Sequence, residues 1–545
     1  MSAALTEPLS PEKLVAGTRV LVAEPLSETG LEVLQKAGVA VDVRTDLTRE
    51  ALLAAIGDYH ALVVRSATQV DRELLTAGKN LRVVGRAGVG LDNVDVKSAT
   101  ERGVLVVNAP SGNVVSAAEH TIALLLALLR KIPDAQTSLK AGEWKRTKFV
   151  GTELQGKTIG LVGLGQVGAR VASRLRAWHV RILAFDPYIS TERAAELGVE
   201  VLALDDLLKQ ADIVSLHTPV TPETTGLMND ARFALMKPTA LLINCARGAL
   251  VDEAALIRAL DAGTLAGAAL DVFVAEPPKD FTLAKHPRVL CTPHLGASTV
   301  EAQDRVAVET VEMLVEALNG SPFVAAVNLP FPPGGDPHAA LPWMRLAERA
   351  GEFVGKALHD APVRITIALT GVPDAFQKAC RVAAIKGVLT PFCAEGVNLV
   401  NAPTMARLQG VSIVEAVRNE PSGYANLIKV TVKTGKGERS VGATLFGDRH
   451  GRIVEVDELP LEFTPEGNLL VITNRDVPGV VGRIGTLLGE RQVNIRDLAL
   501  ARGREGRAAA IVRIECADGA EIGRELLDKV SALEGIESVR LVSLS

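Results

Sequence analysis

The stretch from Thr158 to Pro187 constrains the fold of this chain more than any other. It begins with an apolar strand, turns through Gly163-Leu164-Gly165-Gln166-Val167-Gly168, and continues with a helical pattern and a second apolar strand that ends at Asp186. The first glycine permits a tight turn, the second lets the backbone approach a pyrophosphate, and the third lets the helix pack closely on the strand. The helix N-terminus then offers free N–H groups and partial positive charge to phosphates. The pattern therefore predicts a dinucleotide-binding βαβ unit.

Asp186 distinguishes between the two common dinucleotides. It lies about 20 residues after the glycine-rich turn, where a carboxylate accepts hydrogen bonds from the hydroxyl groups of the adenosine ribose. The same carboxylate would repel a 2′-phosphate. The sequence therefore predicts NAD, not NADP, as the cofactor.

Composition excludes several other classes of protein. The chain has 545 residues, enough for three to four domains of about 150 residues each, and a net charge of -5 that gives no electrostatic reason to expect a nucleic-acid partner. Its five scattered cysteines argue for a reducing compartment and against a disulfide framework or a metal site. No secretory signal is visible, and the longest purely apolar run, Ile122 to Leu129, is too short to span a bilayer. We expect a cytoplasmic protein with no membrane partner.

The N-terminal three-fifths of the chain alternates strand and helix patterns, which predicts parallel sheets covered on both faces. Residues 1–16 have the composition of a loose tail. Long helices are predicted at Ala118 to Leu129 and at Val300 to Ala317. Several predicted strands end in polar clusters, and the carboxyl ends of parallel strands meet at one edge of a sheet. We therefore expect these clusters to face a common crevice.

The C-terminal part has a different pattern. Leu329 to Pro342 gathers five prolines and two glycines, which predicts a linker. Residues 343–462 then predict an α+β unit with helices at 343–359 and 374–390, a strand from Val363 to Leu369, and a hairpin of Leu427 to Lys433 with Ser440 to Phe446. The last 78 residues predict a ferredoxin-like βαββαβ plait, with strands at 468–473, 493–501, 508–514 and 536–543 and helices at 478–490 and 518–533.

Three residues that follow predicted strands suggest hydride-transfer chemistry: Arg247, Glu276 and His294. A 2-hydroxy acid must lose a proton from its hydroxyl group while hydride leaves the same carbon, and histidine titrates in the range that this proton step requires. A carboxylate beside the histidine would favour the imidazolium and orient the ring. Arginine binds a planar carboxylate through two parallel hydrogen bonds. Each residue alone has an ordinary structural explanation, but their order behind the glycine-rich turn favours the catalytic one.

The same segments resemble the D-isomer-specific 2-hydroxyacid dehydrogenase family. The resemblance lies in the glycine-rich turn, in Asn244 to Gly248, in Asp271-Val272-Phe273 with Glu276-Pro277, and in Thr292 to Ser298. Val64 to Thr68 and Gly85 to Gly88 are similar to the branch of this family that acts on 3-phospho-D-glycerate. Residues around Asn401-Ala402-Pro403 resemble the extra domain of its long form, and the terminal plait resembles a regulatory ACT domain.

The resemblance implies a fold and its boundaries. It implies an α/β protein with two doubly wound parallel-sheet domains, in which a Rossmann NAD domain (111–298) is inserted in a flavodoxin-like substrate domain (17–110 and 299–328). An α+β intervening domain (343–462) and a ferredoxin-like ACT domain (468–545) follow. It also implies a homo-oligomer, either a dimer or a tetramer.

The resemblance also implies roles for individual residues. His294 would be the acid/base, Glu276 its partner and Arg247 the carboxylate binder. Arg65 and Arg86 would hold the substrate, with Arg146 reaching the site of a neighbouring subunit. Asp476 and Asn494 look like elements that bind serine in the ACT domain. The contacts to NAD would come from Val89, Gly163, Gly165, Gln166, Val167, Gly168, Asp186, Thr218, Cys245, Ala246, Arg247, Asp271, His294, Leu295, Gly296 and Ala297. Val89 stands where some relatives have threonine and offers no hydroxyl contact.

The implied activity is the NAD-dependent oxidation of 3-phospho-D-glycerate to 3-phosphohydroxypyruvate, the first step of L-serine synthesis, with L-serine as a feedback inhibitor. Two alternatives remain open at this point. One is a related reductase that acts on glyoxylate or hydroxypyruvate, and the other is a non-catalytic corepressor that senses NAD.

Overall fold

The computed structural model describes residues 17–319, 325–330, 337–358, 360–393, 396–416, 423–447, 449–503, 506–516 and 523–544. The predicted tail at 1–16 lies outside these residues. The described strands form four sheets of five, seven, six and four strands. Two of these sheets are wholly parallel, as the alternation of strands and helices predicted.

The first sheet has the strand order β2-β1-β3-β4-β5 of a flavodoxin-like fold. Both of its faces are apolar, with Leu21 and Leu62 in one core cluster and Val20 and Val63 in another. Side-chain caps such as Asp71, which accepts from the N–H of Leu74, begin the helices between the strands. The elements are β1 Arg19–Val22, α1 Glu28–Lys36, β2 Ala40–Val43, α2 Arg49–Ala55, β3 Ala61–Val64, α3 Arg72–Ala77, β4 Val83–Arg86, α4 Val96–Glu101 and β5 Leu105–Asn108.

The second sheet has the order β12-β11-β10-β9-β6-β7-β8, in which the strand order reverses between β6 and β9. This is the dinucleotide-binding topology, and ligands bind such sheets at the carboxyl ends of the strands near the reversal. The elements are α5 Val114–Leu129, α6 Ile132–Lys140, β6 Thr158–Val162, α7 Gln166–Leu175, β7 Arg181–Phe185, α8 Thr191–Leu197, β8 Glu200–Val201, α9 Leu204–Gln210, β9 Ile213–Leu216, α10 Asp230–Phe233, β10 Leu241–Asn244, α11 Glu253–Asp261, β11 Gly267–Leu270 and β12 Val289–Cys291.

Helix α12 (Val300–Leu318) returns the chain to the first sheet. Its Val311 and Leu314 pack in the core cluster that contains Val20 and Val63. A Cβ atom at Gly85 of β4 would lie only 3.0 Å from the Leu314 and Thr310 side chains. A side chain at that position would therefore require Leu314 and Thr310 to shift by a few tenths of an ångström.

The third sheet is mixed, in the order β14-β13-β15-β16-β17-β18, and only the β13–β14 pair is parallel. The predicted linker is wrong over its last six residues, because helix α13 begins at Pro337 and includes Pro342. Proline is favoured at the first position of a helix, which Pro337 occupies, whereas Pro342 lies inside the helix and removes one of its backbone hydrogen bonds. The elements are α13 Pro337–Ala357, β13 Pro362–Thr370, α14 Asp374–Leu389, α15 Ala402–Leu408, β14 Ser412–Ala416, β15 Leu427–Thr434, β16 Glu438–Phe446, β17 His450–Val456 and β18 Leu459–Phe463.

The fourth sheet is antiparallel in the order β20-β21-β19-β22, the ferredoxin-like arrangement that the βαββαβ pattern predicts. Part of the predicted helix at 518–533 lies outside the described residues, and the described helix covers its C-terminal part. The elements are β19 Gly467–Arg475, α16 Val480–Glu490, β20 Val493–Arg502, β21 Arg507–Cys516, α17 Arg524–Ser531 and β22 Ile536–Leu544. The α/β fold class and the ferredoxin-like plait are thus confirmed.

The third and fourth sheets share one hydrophobic core. A single cluster contains Phe353 of α13 and Phe463 of β18 together with Leu469, Ile511 and Val542 of the fourth sheet. None of the helices in the described residues combines the length and apolar character needed to cross a membrane.

Candidate active site

A histidine–carboxylate pair lies at the carboxyl end of the second sheet. His294 follows β12 and has a left-handed backbone, with φ of 56°. Its Nδ1 lies 2.5 Å from Oε2 of Glu276, whose Oε1 accepts a hydrogen bond from the Phe273 N–H at 3.0 Å. With Nδ1 held by the carboxylate, Nε2 is the ring atom available to exchange a proton with a ligand.

His294 and Glu276 shift each other's pKa. The hydrogen bond to Glu276 raises the pKa of His294, although burial opposes the shift. Burial alone would raise the pKa of Glu276, but the hydrogen bonds from His294 and from the Phe273 N–H hold this pKa below its ordinary value. The imidazole is therefore a stronger base than a free histidine.

A buried carboxylate holds the loop that presents His294. The Asp271 side chain is inaccessible to solvent. It accepts hydrogen bonds from Thr292 Oγ1 at 2.5 Å and from the N–H groups of Leu295 and Gly296 at 2.7 and 2.8 Å. Its backbone carbonyl accepts from the His294 N–H at 2.8 Å. Although burial acts to raise the pKa of Asp271, these donors and His120 keep it lowered, so the carboxylate stays charged.

Arg247 projects from the loop after β10 into the same cleft. Asn244 shapes this loop by accepting from the Ala246 N–H at 3.0 Å and donating to the Arg247 carbonyl at 2.9 Å. A Cβ atom at Gly248 would lie 2.0 Å from the Phe273 carbonyl carbon, so only glycine lets the two loops approach this closely. The charge of Arg247 acts on both His294 and Glu276, which places all three predicted catalytic residues together.

The first sheet supplies two more arginines. Burial, followed by the charge of Arg247, lowers the pKa of Arg86, and Arg86 Nε has no hydrogen-bond partner among the described residues. Arg65 also contributes to this repulsion. The Arg65 backbone N–H donates to Glu24 Oε1 at 2.9 Å, which fixes the loop after β3. The structure thus brings Arg65, Arg86 and Arg247 into one cationic cluster that fits an anionic ligand.

The glycine-rich turn has the shape that a dinucleotide requires. Gly163 has φ of 100°, and a Cβ atom at Gly168 would lie 2.1 Å from the Gly163 carbonyl oxygen, so helix and strand approach as the pattern predicts. A Cβ atom at Gly165 would meet nothing within 4 Å, which leaves open space at the N-terminus of α7. The Asp186 carboxylate accepts from the Leu164 N–H at 2.8 Å and so lies beside this turn.

Thr218 gives independent support for the cofactor. Its Oγ1 is buried yet has no hydrogen-bond partner among the described residues. It follows β9, on the far side of the strand-order reversal from the glycine-rich turn. An unsatisfied buried hydroxyl is costly, and a ligand that supplies a partner removes the cost. The residues present therefore fit a dinucleotide.

The other predicted cofactor residues divide into two groups. Val89, Gln166, Val167, Ala246, Leu295 and Ala297 are at least partly accessible at the carboxyl ends of the strands. Asp271 and Gly296 are instead buried behind the His294 loop. Burial raises the pKa of the Cys245 thiol to about 12, so this residue offers a neutral thiol and not a thiolate.

Arg146 does not join the cluster within this chain. It begins an exposed 3₁₀ helix, Arg146–Phe149, whose Lys148 and Phe149 line a cavity of about 1130 Å³. The other walls of that cavity include Ile213, Leu241 and Val289, which lie at the amino ends of the strands. The cavity and Arg146 therefore lie at the edge of the sheet opposite to His294.

Asp476 and Asn494 are also separated. Asp476 follows β19 and pairs with Arg502 at 3.2 Å, at one end of the fourth sheet. Asn494 is the second residue of β20 and stands opposite Glu515 at the other end of the sheet. At about 3.3 Å per residue the two side chains are roughly 25 Å apart. One chain does not bring them together.

Sequence reasoning missed two side chains in this region. Asp92 forms an ion pair with Arg247, at 3.3 Å from its Nε. His120 Nε2 lies 3.1 Å from both Asp271 Oδ1 and Thr292 Oγ1. One feature of the sequence could have drawn attention to His120, because it is a titratable residue on a predicted apolar helix. Its partner Asp271, however, lies far along the chain.

Comparison with known families identifies three regions of the chain. Residues 122–296 match the NAD binding domain of D-isomer specific 2-hydroxyacid dehydrogenases. Residues 340–457 match the D-3-phosphoglycerate dehydrogenase intervening domain, and residues 468–534 match the ACT domain.

Curated relatives match nearly the whole chain. The D-3-phosphoglycerate dehydrogenase of Archaeoglobus fulgidus is 40% identical over 528 residues, which are 96% of this chain and 100% of that protein. The enzyme of the same name from Mycobacterium bovis is 43% identical over 500 residues, which are 90% of this chain and 93% of its own.

Solved structures match the N-terminal part. The TT0316 protein of Thermus thermophilus is 38% identical with a TM-score of 0.52, and the match covers 56% of this chain and 97% of that one. The D-lactate dehydrogenase of Escherichia coli is 30% identical with a TM-score of 0.50, and the match covers 56% of this chain and 97% of its own.

A Gly165→Ala substitution separates cofactor binding from folding. The added methyl group has open space in the protein, so we expect thermal stability to be unchanged. It occupies the place where a pyrophosphate would approach the backbone, so NADH affinity should fall at least tenfold, roughly the 1.4 kcal/mol of a modest steric clash. NADH fluorescence titration and thermal melting measure the two effects.

Gly482→Ala in α16 is the matched control, because a Cβ atom there also meets nothing within 4 Å. It should leave NADH affinity at the wild-type value. Wild-type affinity in the Gly165→Ala protein would contradict the proposed position of the pyrophosphate.

Proposed function

Because the chain belongs to the D-isomer-specific 2-hydroxyacid dehydrogenase family and, within it, to the D-3-phosphoglycerate dehydrogenases, we propose that it oxidises 3-phospho-D-glycerate to 3-phosphohydroxypyruvate. The protein is an enzyme, and its cofactor is NAD. The reaction is the first step of L-serine synthesis. One observation carries the assignment: the His294–Glu276 pair shares a cleft with three arginines.

Each residue of the cleft has a role in this reaction. His294 takes the proton of the substrate hydroxyl group on Nε2 while Glu276 holds Nδ1 and stabilises the resulting imidazolium. Arg247 binds the substrate carboxylate through its guanidinium. The glycine-rich turn and Asp186 would hold NAD, which would supply the hydride acceptor for this oxidation. In the reverse direction the His294 imidazolium returns the proton.

Arg65 and Arg86 favour a phosphorylated substrate. A carboxylate needs one guanidinium, and the cluster contains three. Arg86 carries the further signal of a buried Nε with no partner among the described residues. A phosphate dianion, with three acceptor oxygens, satisfies such donors, whereas glyoxylate and hydroxypyruvate have no group to place there. The chain also contains the three residues that hydride transfer would require, Arg247, Glu276 and His294. Their presence favours an enzyme over a corepressor.

A substrate panel tests the assignment. With NAD at alkaline pH, we expect NADH formation from 3-phospho-D-glycerate with a kcat/KM at least 100-fold above that for D-glycerate. The difference of about 2.7 kcal/mol is that of one buried charge-assisted contact to a phosphate. Equal rates on the two acids would favour the alternative reductase, and no turnover in either direction would favour the corepressor.

The pH dependence tests the role of Glu276. Oxidation needs neutral His294, so the rate rises with pH through the pKa of this residue, which Glu276 raises. In a Glu276→Gln enzyme the pKa of His294 should fall, and the acidic limb of the kcat/KM profile for oxidation should move to lower pH. The alkaline limb for reduction should move in the same direction, because that reaction needs the imidazolium. Full pH–rate profiles in both directions provide the measurement, and unmoved limbs would remove Glu276 from this role.

The exposed surface supports a homo-oligomer. Trp144 is 78% exposed and Val150 is 71% exposed, and both flank the 3₁₀ helix that begins at Arg146. Large apolar side chains clustered on one surface mark contact sites. If a partner subunit covers this surface, Arg146 has a route to the partner's site that it lacks within its own chain. A dimer or a tetramer satisfies this argument.

The effector that fits the fourth sheet is an amino acid, and we assign it as L-serine, the end product of the pathway. Asp476 suits an ammonium group, and the Asn494 amide suits a carboxylate. Because the two residues lie at opposite ends of one sheet, a site that contains both takes Asp476 from one copy and Asn494 from another. Feedback inhibition and oligomerisation are then linked.

Inhibition by L-serine is directly measurable. We expect L-serine to suppress the oxidation of 3-phospho-D-glycerate. D-Serine at equal concentration should have little effect, because its ammonium and carboxylate groups have the opposite configuration at the α-carbon. Asn494→Ala should weaken inhibition at least tenfold in serine concentration, the loss of one hydrogen bond to a charged group, worth about 1.5 kcal/mol. Equal activity with and without excess L-serine would leave the fourth sheet with no serine role.

A further inference from the structure

We propose that Asp92 is a positioning residue of the active site, which orients the guanidinium of Arg247 across the cleft so that its outer edge meets the carboxylate of the substrate. The proposal takes one assumption from the proposed function, namely that Arg247 binds the carboxylate of a 2-hydroxy or 2-oxo acid. It holds for any such acid.

The geometry leaves one edge of the Arg247 guanidinium for a ligand. Nη1 donates to the carbonyl oxygen of the neighbouring Ala246 at 2.7 Å. Nε lies 3.3 Å from Oδ2 of Asp92. Since a guanidinium is planar with five N–H donors in a fixed fork, the hydrogen bond from Nη1 and the ion pair at Nε together restrict its orientation. The remaining N–H groups lie along the Nη edge, which is the edge that binds a carboxylate with two parallel hydrogen bonds.

Asp92 reaches Arg247 from the other parallel sheet. It lies in the loop after β4, whereas Arg247 lies in the loop after β10. Gly90 makes the approach possible, because a Cβ atom there would lie 2.3 Å from Arg247 Nη2 and 2.8 Å from Asp92 Oδ2. The two loops therefore meet at this ion pair, which lies against Gly90.

The charges in the cleft indicate that Asp92 interacts with the arginines and not with the substrate. Three cationic side chains share the cleft, and the charge of Asp92 acts on Arg86 in the direction opposite to that of Arg247. A carboxylate beside a phosphorylated acid would repel it, so Asp92 has no favourable direct contact to offer such a ligand. Its favourable contact is with Arg247.

The pair is too exposed to act mainly through stability. The side chain of Asp92 is 73% exposed and that of Arg247 is 31% exposed. Ion pairs in such surroundings contribute little to folding. A change at Asp92 therefore affects catalysis through the orientation of Arg247, where a small displacement of a binding group has a large effect on rate.

The first test compares Asp92→Ala with Asp92→Asn in the reductive direction with NADH. Asp92→Ala should lower kcat/KM for the 2-oxo acid by about 10- to 100-fold, mostly through a higher KM for the acid, with the KM for NADH unchanged. Asp92→Asn keeps an oxygen that can accept from Nε and should lie closer to the wild type than to Asp92→Ala. Wild-type kcat/KM in Asp92→Ala, or equal defects in the two variants, would overturn the proposal.

A double-mutant cycle with Arg247→Lys tests whether Asp92 acts through Arg247. Lysine has no Nε–H in the guanidinium position, so the interaction is already lost in that background. Asp92→Ala should then cause no further loss of kcat/KM when added to Arg247→Lys. Additive losses would mean that Asp92 acts by another route and would overturn the proposal.

Asp230→Ala is the matched control, because Asp230 of α10 forms an exposed ion pair with Arg258 of α11 at 2.6 Å, and neither residue belongs to the candidate active site. It should leave all kinetic constants at the wild-type values. The substrates are 3-phosphohydroxypyruvate, hydroxypyruvate and glyoxylate. If the wild type reduces only the unphosphorylated acids, the proposed function fails while the test of Asp92 proceeds on those acids.

Discussion

The loop that presents His294 depends on one buried carboxylate. Asp271 is charged and inaccessible to solvent, a combination that is stable only when donors surround it. Those donors are Thr292, His120 and two N–H groups in the turn that follows His294. Removing any donor leaves a buried charge with fewer partners, so the network holds the turn in one conformation. His294 can therefore keep a left-handed backbone that an isolated loop would seldom adopt.

The active site is shared between the two parallel sheets, and this division explains its electrostatics. The first sheet contributes Arg65 and Arg86, and the second contributes Arg247, Glu276 and His294. Like charges on opposite walls of a cleft repel each other until an anion enters between them. A multiply charged acid between the walls would relieve this repulsion.

The sequence was most informative where the chemistry is local. The glycine-rich turn, its strands and Asp186 lie within thirty residues, so spacing alone predicted their arrangement. The three residues predicted to be catalytic lie close together because each follows a strand of a parallel sheet, whose carboxyl ends must meet. Asp92 and His120 were missed because their partners lie on other elements, and neither residue belongs to a spacing pattern. The linker was overextended because prolines mark a helix start as readily as a loop.

The C-terminal half is joined by specific contacts to the half that contains the candidate active site. Leu329 packs against both the core of the first sheet and the core shared by the third and fourth sheets. Asn398 Nδ2 donates to the carbonyl of Gly103, at 2.8 Å, in the turn that leads into β5. At the end of β5, Asn108 Nδ2 holds the carbonyl of Val89 in the loop that carries Asp92. Strand β5 thus connects the intervening domain to the loop that carries Asp92. The contacts run without a break from the shared core, on which Val397 and Leu399 pack, through Asn398 and β5 to the loop that carries Asp92.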